Sequence, residues 1–154
     1  MDNIHRYLGI ELNRKTWFLL DKKDRDKHEN QRMVTFAHGS LYHWQHSHEF
    51  FAVNEQRGEW IISHVYAALG QGSEALKHAP RHCLKITEDQ DLKDFDLAYA
   101  YEAMARGYAS AGETEEMNKY FLKAKKVAAE IKAKKDRNLF LSDLHAEPLF
   151  EYIA

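Results

Sequence analysis

The chain has 154 residues, 44% hydrophobic and 30% charged, with a formal net charge of −2. That length suits one domain with a real core. The near balance of charge argues against nucleic acid, which wants a strongly basic face. Cys83 is the only cysteine, so an internal disulfide and a cysteine-built zinc site are both excluded. The first fifteen residues, MDNIHRYLGIELNRK, hold no apolar leader core, and no apolar run approaches the roughly 18 residues of a membrane span. A soluble, cytoplasmic protein with no membrane partner is expected.

Two prolines, seven glycines and the lack of long β-branched alternation predict an all-α fold. Helix 1 is expected from about Ile4 to Leu20, with Ile4, Leu8, Leu12 and Trp17 as apolar marks, and the charged stretch from Asp21 to Asp26 as a turn. Helix 2 runs from about His28 to Gln45, where Val34, Ala37, Leu41 and Trp44 recur at helical spacing. Helix 3 covers Ala52 to Leu69 and stops at Gly70. Helix 4 starts at Ser73, a fitting N-cap, carries Leu76, Ala79, Cys83 and Leu84, and is expected to kink at Pro80. Helix 5 starts near Asp94 and ends at Gly112. Helix 6 starts near Thr114 and carries Met117, Phe121, Ala124, Ala128 and Ile131. A last helix opens at Asp136 and stops before Pro148.

Paired helices with short glycine-containing turns suggest a repeat. VYAALGQGSEAL aligns with GYASAGETEEMN at an offset of 42 residues: Tyr66 matches Tyr108, Gly70 matches Gly112, Glu74 matches Glu116, and Ala75 matches Met117. Carried back, the offset sets Trp17 against Glu59 and Tyr101, Leu20 against Ile62 and Met104, and Met33 against Ala75. In that first copy His28 stands where glycine stands later. The run from Tyr101 to Gly112, followed by Met117, Phe121 and Ala124, resembles the tetratricopeptide repeat (TPR), and the segment with Tyr66, Gly70, Ala75 and Ala79 is the next best copy. The likeness spans about residues 59–131 and, more faintly, 4–46. It departs from the family in its period, which is usually about 34. Met117 also stands where the family prefers alanine, and neither proline occupies the usual position at the end of a repeat. The resemblance implies one TPR-like domain over residues 1–154, an α-α superhelix of about three antiparallel helix pairs plus a C-terminal capping helix. A plain antiparallel bundle is the alternative.

The stretch AHGSLYHWQHSH, residues 37–48, holds four histidines. At about 100° per residue from Val34, His38 falls near the inner edge of helix 2, while His43 and His46 point outward. The HExxH signature of a zinc helix is absent. A metal or small-molecule site built from His38, His43 and His64 across the helix pair, with Glu59 adding a carboxylate, is the competing expectation. Otherwise His38 is a partly buried, hydrogen-bonded histidine and the others are solvated. No nucleophile elbow, phosphate-binding loop or dinucleotide fingerprint is present. Cys83 on an apolar face reads as core. The basic segment from Lys119 to Arg137 reads as a solvated helix face.

Superhelical repeats bind along the concave face made by the first helix of each pair. The resemblance places Arg57, Trp60 and His64 there from helix 3, and Tyr99, Glu102 and Arg106 from helix 5. Lys15, Phe18 and Lys22 would follow from helix 1. Aromatic and Arg side chains anchor interfaces, and Arg57 with Arg106 could hold a peptide carboxylate. Alternatively, Trp60 packs between repeats and Arg106 pairs with Glu102 at i, i+4. The apolar tail Leu149 to Ala154 is expected to cap the open end of the array, or to dock on a second copy and so make a homodimer. The expected function is binding of a protein or peptide segment, without cofactor, metal or catalysis.

Overall fold

The computed structural model describes residues 2–78 and 82–146, which form eight helices and no strand. They are α1 (Asp2–Asp21), α2 (Lys27–Gln45), α3 (Ala52–Ala68), α4 (Gly72–His78), α5 (Leu84–Asp89), α6 (Phe95–Ala111), α7 (Thr114–Ala128) and α8 (Lys134–Leu144). Among the described residues no helix is long and apolar enough to cross a membrane. The expected kink at Pro80 and the apolar tail after Pro148 lie outside the described residues.

Neighbours in sequence pack on one another, and α6 lies at the centre, touching α3, α4, α5, α7 and α8. Leu19, Met33, Ala37, Leu41, Ile62 and Val65 form a core joining α1, α2 and α3. A second core joins α6, α7 and α8 through Ala98, Tyr99, Phe121, Ala124, Ile131, Phe140 and Leu144. Trp60 packs against this second core from α3. Small residues set the close approaches. A Cβ on Gly72 would meet the Ala111 backbone nitrogen at 2.3 Å, and one on Gly58 would meet Leu41 Cδ1 at 2.6 Å.

Two of the turns share one geometry. Gly70 and Gly112 both adopt the left-handed conformation, with φ of 74° and 78°, where a Cβ is disfavoured. The hydrogen bonds around them correspond one for one. Gly70 N–H donates to Ala67 O and Gln71 N–H to Tyr66 O, at 3.0 and 2.9 Å; Gly112 N–H donates to Ala109 O and Glu113 N–H to Tyr108 O, at 3.1 and 2.9 Å. Both are Schellman closures of a helix end. The first helix pair closes differently. Arg25 donates from one guanidinium nitrogen to the carbonyls of Leu19, Leu20 and Lys22, satisfying the end of α1 by a side chain. No glycine is needed there, and His28, which the 42-residue offset aligns with Gly70, lies inside α2.

The expected helices are present, with differences at some of their ends. The α2 N-cap is Asp26, whose carboxylate accepts from Glu29 N–H at 2.8 Å in a capping box. Ser73 lies inside α4. The expected fourth helix is seen as α4 and α5, on either side of residues outside the described set. Helix α7 ends at Ala128, and α8 opens two residues before Asp136, which sits in its first turn.

Candidate functional site

A groove runs between α1, α3, α6 and α8. It consists of two adjoining cavities of about 500 and 520 Å³ that share Trp17, Asp21, Trp60 and Asp143. The first takes His64, Glu102 and Arg106 as its floor, with Lys22, Lys23 and Arg25 at the α1–α2 turn. The second takes Gln56, Arg57, Phe95, Asp96 and Tyr99. All six positions expected from α3 and α6 therefore meet along one groove: Arg57, Trp60, His64, Tyr99, Glu102 and Arg106.

An aromatic row forms the wall. The Trp17 and Trp60 rings stack with centroids 5.9 Å apart, Trp60 stacks on His64 at 4.8 Å, and Tyr99 meets Trp60 edge-on at 5.4 Å. Such offset and edge contacts suit the ring quadrupoles. From α1 the expected contributors were Lys15, Phe18 and Lys22. Only Lys22 reaches the groove; Phe18 is 73% exposed and Lys15 lies over the Phe36 ring. The register of α1 is one residue away from the repeat offset, so Trp17 takes the place expected of Phe18. The different turn at Arg25 gives the physical reason, since nothing in it enforces the spacing of the glycine turns.

Below the first cavity Arg106, Glu102 and Trp60 are bonded to one another. Arg106 Nε donates to Glu102 Oε1, and both side chains are buried, at 3% and 1% exposure. Arg106 also donates to Asp143 O at 2.8 Å, and Trp60 Nε1 donates to Glu102 Oε2 at 3.0 Å. The Tyr99 hydroxyl donates to Asp143 Oδ2. Burial, and then this bond to a carboxylate, pushes the Tyr99 phenol well above its ordinary value. Burial, with a smaller push from Arg106, holds His64 well below the usual histidine range, so its imidazole is neutral. His64 Nδ1 is buried without a hydrogen-bond partner. Arg57 pairs with Asp96 at 3.1 Å. Both guanidinium groups of the expected carboxylate clamp, Arg57 and Arg106, hold internal carboxylates, Asp96 and Glu102.

The three histidines of the metal alternative do not converge. His38 Nε2 meets the Tyr66 hydroxyl at 3.0 Å, His43 Nδ1 meets His5 Nδ1 at 2.9 Å, and His64 stacks on Trp60. Glu59 is bound by His78 instead of His64. His43 was expected in water, but α1 covers that face of α2. Among the described residues no group of three His, Cys, Asp or Glu is placed to hold a metal ion. Cys83 is fully buried, and burial raises its thiol far above the range of a reactive thiolate.

Among the groove residues that escaped the sequence are Trp17, Asp21, Gln56 and Asp143. Asp143 belongs to α8, outside the repeat pattern, and Gln56 stands one turn before Trp60 on α3, a spacing that could have found it. The chain has no match among protein-family models, curated proteins or solved structures.

Proposed function

We propose that the chain is a TPR-like binding module that takes a protein or peptide segment along the groove of α1, α3, α6 and α8. The observation that carries this is the meeting of Trp17, Trp60, His64 and Tyr99 along two continuous cavities. Concave sites with aromatic walls and a few polar groups are the usual form of binding sites. Two further features support the repeat. The left-handed turns at Gly70 and Gly112 have the same hydrogen bonds. Trp60 and Glu102, 42 residues apart, are corresponding positions of two copies and bond directly to each other. Stacked repeats place equivalent positions side by side. The mechanism is preorganised shape: the floor beneath the first cavity is already bonded internally, so little ordering remains to oppose association.

Selection from a random peptide library displayed on phage tests this. Ligands should be enriched that bind wild type and lose affinity for Trp17→Ala, whose ring is 37% exposed and whose loss leaves the core intact. Ligands that bind both proteins equally would place recognition elsewhere.

A further inference from the structure

The second cavity gathers acceptors that lack donors, and from this we infer that the segment it takes presents a cationic side chain, an ammonium or guanidinium on a flexible stem. This rests on the groove function proposed above and narrows it to a basic ligand. Asp21 lines both cavities and has neither ion pair nor hydrogen bond among the described residues. Asp143 lies on the same shared wall, and its carboxylate accepts from a neutral donor, the Tyr99 hydroxyl. Among the described residues Arg57 is the only cation lining this cavity, and it is paired with Asp96.

An independent feature lies in the floor. Gln56 is 1% exposed, and its Nε2 donates to Asp96 O at 3.1 Å. Its Oε1 has no hydrogen-bond partner. A buried acceptor without a donor is disfavoured, and its dipole adds to the negative potential of the two carboxylates. Trp17 and Trp60 supply ring faces, which attract a cation electrostatically and cover the aliphatic stem of a lysine or arginine. An anionic side chain in the second cavity would meet Asp21 and Asp143 with no unpaired cation among the described residues that line it.

The full chain is titrated by calorimetry with an octalysine peptide and an octaglutamate peptide. Octalysine is expected to bind and octaglutamate to fail. Asp21→Asn should weaken octalysine about tenfold, equivalent to ~1.4 kcal/mol. Trp17→Ala should weaken it as well, and added salt should lower the affinity because this partly exposed attraction is screened. Unchanged octalysine affinity in Asp21→Asn, or no octalysine binding, overturns the cation site. Octaglutamate binding that Trp17→Ala abolishes would leave the groove as the binding surface and reverse the charge of its ligand. The groove itself falls only if neither peptide, nor any ligand selected from the phage library, is sensitive to Trp17→Ala.

Discussion

The two halves of the groove share a wall and differ in the groups that line them: the first holds a buried, bonded ion pair, the second an open amide oxygen beside carboxylates. Under the first cavity, Arg106, Glu102 and Trp60 bond to one another, and Arg106 ties α6 to α8 through Asp143 O. Among the described residues, Asp21 on the shared wall and Gln56 Oε1 in the second have no donor. A bonded, buried network holds helices in register. Acceptors left open beside aromatic rings are what a ligand can use. The first half therefore acts as framework and the second as recognition surface.

The largest effect should come from breaking the framework. Glu102→Ala leaves the Arg106 guanidinium buried without its carboxylate, at a cost of about 3–5 kcal/mol in chemical denaturation. Adding Arg106→Met should recover part of that loss, because no charge is then stranded. Acid comes next. The unfolded chain protonates His64 near pH 6.5, whereas the folded one holds that group far lower. The unfolded state thus binds more protons below pH 6.5, and the stability contributed by neutral His64 is complete above that pH and lost as pH falls. The unfolding free energy should drop by up to about 1.4 kcal/mol per pH unit for this group. His64→Phe should flatten that part of the profile, and an unchanged slope would contradict the burial of His64.

Smaller changes separate recognition from framework. Arg57 is 61% exposed, so Arg57→Ala should cost no more than about 0.5 kcal/mol by thermal unfolding, as exposed ion pairs do. Asp21 is the last residue of α1, where a negative charge opposes the helix dipole. Asp21→Asn should stabilise the fold slightly, by about 0.3 kcal/mol, while it weakens a basic ligand. A residue that costs stability yet improves binding is the mark of a functional position; a stability loss in Asp21→Asn would assign it to the framework instead.

Much of this was legible in the sequence. Glycines at equivalent places before paired helical patterns fixed the turns at Gly70 and Gly112, because only a left-handed residue closes a helix in that way. The same offset gathered Arg57, Trp60, His64, Tyr99, Glu102 and Arg106 along one groove. The charge state of the groove was not legible. Spacing along one helix places Arg106 near Glu102, but which cations remain open depends on partners from other helices, such as Asp96 for Arg57. The offset also failed in α1, where Arg25 closes the helix without a glycine and Trp17 replaces Phe18 at the wall. The histidines illustrate the reverse limit. A helical wheel sets His43 outward from α3, yet α1 supplies His5 on that side.

The most direct test is a nuclear magnetic resonance titration of the three tryptophan indole N–H signals in the full chain with octalysine. Trp17 and Trp60 line the groove, while Trp44 packs against Gly9 of α1, outside both cavities. The Trp17 and Trp60 signals should shift in proportion to octalysine bound, with Trp44 fixed, and Asp21→Asn should move the titration to higher peptide concentration. Shifts of Trp44 equal to those of Trp17 and Trp60, or no shift in any of the three at saturating peptide, would contradict a cation-accepting groove.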